Sequence, residues 1–120
     1  MSRDKGLDYL LDLDGEILAQ DDGHWVKIEA RQLKHPTKEC PHRIRYSLTL
    51  HNRYGERVIG FDNAHLIKTR KRGRYKGRSV FYDHKHMNPE DKGTPYVFET
   101  AEQLILDFFG EVDKYLKAQK

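Results

Sequence analysis

The chain has 120 residues and a formal net charge of +3, with 34% charged and 37% hydrophobic residues. A chain of this length buries one modest core, so we expect a single domain over residues 1–120. Seven Tyr, five Phe and one Trp argue against disorder, and no apolar run approaches the length of a membrane span. No apolar segment follows the polar N-terminus and Cys40 has no disulfide partner, which favours a cytoplasmic protein without a cleaved signal.

The first half of the chain shows the alternation of apolar and polar residues that predicts β-strands. Residues 9–13 alternate in this way, and Asp14-Gly15 then predicts a hairpin turn into a strand at 17–19. A turn at 21–23 leads into a strand over 24–32. Val26, Ile28 and Ala30 face one way in that strand, which is typical of a strand buried on one face.

The clearest strand covers residues 43–51. Its apolar residues are Ile44, Tyr46, Leu48 and Leu50, and polar residues lie between them. Residues 52–55 predict a turn, after which 57–61 pairs back. These short connections favour an antiparallel meander.

The second half of the chain is predicted to end in a helix. Residues 79–82 indicate a strand that runs on into 83–86, and an extended piece follows at 96–98. Thr100 is a predicted N-cap, and Gln103 three residues later completes a capping box. The apolar stripe of this helix consists of Ala101, Leu104, Ile105, Phe108, Val112, Tyr115 and Leu116. We therefore predict an α+β fold, in which an antiparallel sheet of about five to six strands packs on one C-terminal helix.

The positive charge is concentrated in one segment, residues 68–78. Seven of its eleven residues are Lys or Arg and none is acidic, so the rest of the chain carries −4. Gly73 and Gly77 indicate a mobile loop. Such a loop attracts the phosphates of a nucleic acid, and Tyr75 among the cations suits base stacking. The predicted nucleic-acid-binding residues are Lys68, Arg70, Lys71, Arg72, Arg74, Tyr75, Lys76 and Arg78. An acidic partner protein and a merely solvated loop are the alternatives.

Two clusters around this basic loop carry groups suited to catalysis, Asp62 to His65 and Asp83 to His86. In a metal-independent ribonuclease one neutral histidine takes the 2′-hydroxyl proton and a second, protonated histidine donates a proton to the leaving oxygen. Lys85 or Arg45 would stabilise the charge on the phosphorane. The predicted catalytic residues are His65, His84, His86, Asp62 and Lys85.

Other interpretations of these clusters stay open. His65, His84 and His86 with Asp62 are also a set of ligands for zinc or manganese, although their spacing matches no strict metal motif. Asp-Asn pairs commonly form turns, so Asp62-Asn63 has a purely structural interpretation. His35, Cys40 and His42 make a poor zinc knuckle, since a second cysteine is lacking. No resident cofactor is predicted, because glycine-rich phosphate-binding motifs are absent.

The sequence resembles the TumE-type toxin family of prokaryotic toxin–antitoxin systems over nearly its whole length. The residues that carry the resemblance are Tyr9-Leu10-Leu11-Asp12-Leu13-Asp14-Gly15, Trp25 to Ala30, Pro41-His42, Arg45 to Leu50, Gly60 to His65, Asp83 to His86, and Leu104 with Asp107 to Phe109. Members typically read Tyr-Asp-Asn-Ala-Pro-His, whereas Ala64 is followed directly by His65 here. Together with the long basic loop, this indicates a divergent, longer branch.

The resemblance implies a toxin that acts on RNA and is neutralised by a cognate DNA-binding antitoxin of the helix-turn-helix type. It supplies no catalytic residues, which rest on the chemistry of the histidine clusters alone. A non-catalytic module that binds nucleic acid or protein is the main alternative. A structural subunit that forms a homodimer through its helix is another.

Overall fold

A computed structural model describes residues 5–36, 43–63, 67–70, 78–81, 83–88 and 93–119. Two helices, α1 and α2, span Lys5–Asp12 and Ala101–Ala118. Within the described residues eight strands lie between them: β1 (Ile17–Ala19), β2 (Trp25–Gln32), β3 (Ile44–His51), β4 (Arg57–Asp62), β5 (Ile67–Arg70), β6 (Arg78–Phe81), β7 (His84–His86) and β8 (Thr94–Pro95). Six of them form an antiparallel sheet in the order β1-β2-β3-β4-β7-β8, and β5 pairs with β6 in a separate ribbon.

The predicted antiparallel meander is confirmed from β1 to β4. β2 pairs with β3 along its whole length, so that Val26 lies opposite Leu50 and Ile28 opposite Leu48. These side chains are buried, as the alternation predicted, because a register that brings apolar residues together buries them on one face. The same alternation directs the polar residues between them to the other face of the sheet.

The predicted strand over 9–13 is wrong, because this segment lies in and just after α1. Leu7, Leu10 and Leu11 have the i, i+3, i+4 spacing of a helix face. Leu10 is completely buried, and the other two pack against the core. The short alternation belongs to an amphipathic helix. The described residues therefore contain two helices, whereas the sequence predicted only the C-terminal one.

The predicted Asp14-Gly15 turn carries the chain from α1 to the edge of the sheet. Gly15 N–H donates to the Ile28 carbonyl at 2.7 Å, and Ala30 N–H donates to Asp14 Oδ1 at 2.8 Å. β1 follows and pairs with the first half of β2. The Asp14 carboxylate thus satisfies an edge donor of β2 beyond the end of β1.

The predicted continuous strand over 79–86 is divided between two sheets. β6 belongs to the ribbon, whereas β7 pairs with β4. Between them lies Asp83, whose Oδ1 accepts from the Tyr46 hydroxyl at 2.9 Å and whose carbonyl accepts from Tyr96 N–H at 3.0 Å. These contacts hold Asp83 out of the β4–β7 ladder. The pairing of β7 with β8 ends at Pro95, just before the predicted extended segment at 96–98.

Helix α2 begins where the sequence predicted. Thr100 accepts from Gln103 N–H at 3.1 Å, and Gln103 Oε1 accepts from Glu99 N–H at 2.8 Å, one residue earlier than in the usual capping box. The helix buries Ala101, Leu104, Phe108 and Val112. Both helices join one core with the apolar face of the sheet. In the described part of the chain neither helix is long and apolar enough to cross a membrane.

The face of the sheet turned away from the helices is called the polar face below. In β2 and β3 it consists of Trp25, Lys27, Glu29 and Arg31 and of Arg45, Ser47, Thr49 and His51. The strand register adds Gly60 and Asp62 from β4. This face carries the acidic, basic and imidazole groups that the core excludes, and it contains the candidate site.

Candidate functional site

Asp62 and His86 form a buried pair where β4 meets β7. In this register Gly60 lies opposite His86 and Asp62 opposite His84, so Asp62 and His86 are diagonal neighbours. His86 Nε2 lies 3.6 Å from Asp62 Oδ2, and the two residues are only 5% and 4% exposed. A carboxylate at this distance restricts the orientation of the imidazole ring. The sequence predicted both residues, and the structure brings them together.

Gly60 leaves room for the side chains beside this pair. A Cβ at Gly60 would lie 3.1 Å from Cδ of Arg57 and 3.6 Å from Cδ2 of His86. The Arg57 side chain and the His86 ring therefore pack over the bare backbone of Gly60. Arg57, which the sequence analysis did not single out, therefore lies near His86.

Asn63, next to Asp62, has a structural role. Its Oδ1 accepts from Tyr46 N–H at 3.0 Å, and its Nδ2 donates to the Ile44 carbonyl at 2.6 Å. The side chain thus continues the β3–β4 ladder for one more step, and the residue is completely buried. Asn63 is thus structural through bonds to β3 rather than through the local turn that the sequence suggested, whereas the Asp62 side chain faces His86.

A cavity of about 300 Å³ lies on the polar face over β2 and β3. Its lining residues are Asp14, Glu29, Ala30, Arg31, Arg45, Tyr46 and Ser47. Arg31 and Arg45 are directly opposite each other in the β2–β3 register, and Ser47 is opposite both Glu29 and Asp62. Ser47, in the wall of the cavity, is therefore the direct neighbour of Asp62 on the next strand.

An aromatic stack occupies the other end of the polar face. The Trp25 and His51 rings lie parallel, with centroids 4.0 Å apart. His51 Nε2 is 2.9 Å from the Thr49 hydroxyl. Burial lowers the pKa of His51 below its usual range, and the nearby cations Arg57 and Lys27 lower it further, against a hydrogen bond with the Gly55 carbonyl. Neutral His51 is therefore the favoured state in this stack.

The remaining predicted catalytic residues occupy different positions. The His84 backbone lies opposite Asp62. Lys85 is opposite Phe61, a core residue, so it lies on the other face of β7 from His86. His65 lies outside the described residues, so the structure does not place it.

The basic segment is described only at its ends. Lys68 and Arg70 belong to β5, Arg78 belongs to β6, and Arg70 is opposite Arg78. These ends pair as strands where the sequence predicted a loop, and they bring the two sides of the segment together. The predicted residues Lys71, Arg72, Arg74, Tyr75 and Lys76 lie outside the described part of the chain.

Sequence reasoning missed Arg31, Arg57 and the Trp25–His51 stack. The sequence places Arg31 and Trp25 on the polar side of a predicted strand, but only the strand register shows which residues lie beside them. Among the described side chains no group of three or more His, Cys, Asp or Glu residues is placed to hold a metal. Of the predicted metal ligands, that search covers Asp62 and His86.

The model of a family described as toxin TumE matches residues 10–116, which include α1 from Leu10 onward, the whole sheet and most of α2. No curated protein and no solved structure matches the chain.

Proposed function

Because this chain belongs to the TumE toxin family, we propose that it is the toxin of a toxin–antitoxin pair and that it binds and cleaves RNA on its polar face. The observation that carries the proposal is the Asp62–His86 pair, 3.6 Å apart, beside a cavity lined by two arginines. A histidine–carboxylate pair provides a base, and arginines hold phosphates.

The proposed reaction is a transfer of the phosphodiester to the neighbouring 2′-hydroxyl. Neutral His86 takes the 2′-hydroxyl proton as the oxygen attacks phosphorus, and the bond from phosphorus to the 5′-oxygen breaks. A second group, for which His84 and His65 are the candidates, donates a proton to the leaving 5′-oxygen. Asp62 stabilises the imidazolium of His86, and a nearby arginine offsets the charge on the phosphorane oxygens. This scheme requires no metal.

The position of the basic segment supports RNA as the substrate. Ile67, the first residue of β5, follows Asp62 by five positions, and Phe81, the last of β6, precedes His84 by three. An extended chain spans at most about 3.6 Å per residue. The ends of the basic segment, Lys68 and Arg78, are each six residues from Asp62 or His84 and are therefore tethered within about 22 Å of the candidate site, close enough to supply cations to the same RNA strand.

The burial of Asp62 and His86 favours a second candidate, a binding module without catalytic activity. A pair that is about 5% exposed also acts as an internal structural ion pair. In that case the polar face and the basic segment bind RNA or a partner protein, and the antitoxin blocks this binding.

Cleavage assays with isosteric variants distinguish these two functions. Purified protein is incubated with total RNA with and without EDTA, and Asp62→Asn and His86→Gln are compared with His35→Ala, which removes an exposed histidine. For a catalytic base we expect His86→Gln to reduce cleavage at least about 100-fold while His35→Ala cleaves like the parent. Urea unfolding of each variant verifies that it is folded.

Two results would contradict the catalytic proposal. One is parent protein that leaves RNA intact in both conditions, and the other is a folded His86→Gln variant as toxic to cells as the parent. The binding module predicts instead that replacing Arg70, Lys71, Arg72 and Arg74 by Ala abolishes RNA binding, whereas His86→Gln does not affect it.

The proposed antitoxin is tested through the gene beside this one. We expect a small helix-turn-helix protein whose co-expression restores growth and which co-purifies with this chain. Sedimentation across a concentration series, with and without that protein, gives the oligomeric state and tests the proposed homodimer.

A further inference from the structure

We propose that the cavity between Arg31 and Arg45 is a subsite for one phosphate group of the RNA. This inference rests on the proposed function for the identity of the ligand, although the binding site is independent of the cleavage chemistry. Arg31 and Arg45 lie directly opposite each other on neighbouring strands, an arrangement that is destabilising for like charges unless an anion lies between them.

Within the described residues no side chain supplies that anion. Glu29 pairs with Lys27 at 3.6 Å, and Asp14 Oδ1 accepts from Ala30 N–H. Neither Arg31 nor Arg45 forms an ion pair with any described carboxylate. Each acidic group of the cavity wall thus contacts another residue, and neither guanidinium group has a described carboxylate as its ion-pair partner.

Arg45 is held in position for such a ligand. Its Nη1 donates to the Asn63 carbonyl at 3.0 Å, which anchors the guanidinium next to the end of β4. Its Nε is buried and has no hydrogen-bond partner among the described residues. Arg45 also lines the cavity, and a phosphate oxygen is the acceptor that suits a guanidinium best.

The size and place of the cavity fit a phosphate within a strand of RNA. A volume of about 300 Å³ lies at the small end of ligand sites and holds a phosphate with part of its sugar. The Arg31–Arg45 row lies two residues along the strands from the row of Ser47 and Asp62. That spacing is about 7 Å along the strands, and Asp62 lies one strand, about 4.8 Å, beyond β3, so RNA held by the arginines extends toward Asp62.

Binding of an uncleavable RNA tests the subsite separately from cleavage. The probe is a fluorescein-labelled, fully 2′-O-methylated octanucleotide, and anisotropy gives its Kd for the parent, Arg45→Gln, Arg31→Gln and Lys114→Gln. Lys114 is an exposed cation on α2, on the opposite side of the sheet, and its variant matches the change in charge. We expect each arginine variant to raise Kd at least tenfold and to reduce the salt slope by about 0.7, whereas Lys114→Gln changes Kd less than twofold.

Arginine variants that fold, as shown by urea unfolding, and bind the probe like Lys114→Gln would overturn the proposal. Arg31 is exposed, so its variant remains informative if Arg45→Gln fails to fold. Arginine-dependent binding by a protein that never cleaves RNA supports the subsite and refutes only the cleavage. Competition by inorganic phosphate assigns the cavity to a terminal phosphate, and probe binding that phosphate leaves unchanged assigns it to the RNA backbone.

Discussion

Replacing Asn63 by alanine tests whether its side chain is an essential part of the sheet. The substitution removes the hydrogen bonds to Tyr46 N–H and to the Ile44 carbonyl, both at a site closed to water. Losing a buried hydrogen-bond partner costs about 1–3 kcal/mol, so we expect a loss of about 2–6 kcal/mol. That is a large share of the 5–15 kcal/mol by which a typical domain of about this size is stable.

Asn52→Ala is the matched control. Asn52 Oδ1 accepts from Tyr54 N–H at 2.9 Å and from Glu56 N–H at 3.0 Å, as many backbone bonds as Asn63 makes, but in an exposed turn. Water replaces the lost partner there, so we expect a cost of at most about 1 kcal/mol. The comparison isolates burial, because the substitution is the same at both positions.

Urea unfolding followed by the fluorescence of the single tryptophan, Trp25, measures both variants. For a loss of about 4 kcal/mol and an m-value of about 2 kcal/mol per M, the midpoint of Asn63→Ala falls by about 2 M. If Asn63→Ala proves unfolded in buffer while Asn52→Ala stays folded, the cost at the buried site exceeds the stability of the parent, in agreement with the prediction. Equal midpoints for Asn63→Ala and Asn52→Ala would refute the argument.

Three further predictions concern stability. Gly110 lies inside α2 with no atom within 4 Å of an added Cβ, so Gly110→Ala should stabilise the protein by about 0.5–1 kcal/mol in urea unfolding, and a loss would contradict this. Burial and the neighbouring Asp83 raise the pKa of Tyr46, whose hydroxyl donates a hydrogen bond to that carboxylate. Tyr46→Phe should therefore lower the free energy of unfolding by about 1.5–3 kcal/mol in the same assay, and an unchanged value would contradict the bond. The pKa of His51 is lower in the folded protein than in the unfolded chain, so the unfolded chain takes up the proton at a higher pH. Neutral His51 therefore contributes to folding stability above pH 6.5, and this contribution is lost as the pH falls through the folded pKa. Unfolding free energies from pH 8 to 5 should therefore decline less for His51→Gln than for the parent, and parallel curves would refute the assignment.

The meander could be predicted because its strands are long enough for alternation to be unambiguous. In β3 four apolar residues alternate with polar ones, and all four are buried. The eight residues of α1 give a weaker signal, since a short apolar pattern fits a helix turn and a strand alike. The break between β6 and β7 depends on the contact of Asp83 with Tyr46, residues far apart in sequence, which no local pattern encodes.

The candidate site was predicted by residue type and assembled by strand register. Asp62 and His86 stood out as a carboxylate and an imidazole near strand ends, and pairing of β4 with β7 brings them together. The opposed arginines could not be predicted, because a one-residue change in the β2–β3 register would place Arg31 beside an apolar residue instead. The roles of His65 and of Lys71 to Lys76 stay predictions.

The insertion of the β5–β6 ribbon between β4 and β7 affects the order in which the strands pair during folding. β3 and β4 are joined by residues 52–56, whereas β4 and β7 pair across residues 63–83. Closing the longer loop costs about 1 kcal/mol more in chain entropy, and contacts distant in sequence form late. Amide hydrogens of β7 should therefore gain protection from exchange after those of β3 in refolding experiments. Asp62 then contacts His86 only after β1 to β4 have paired.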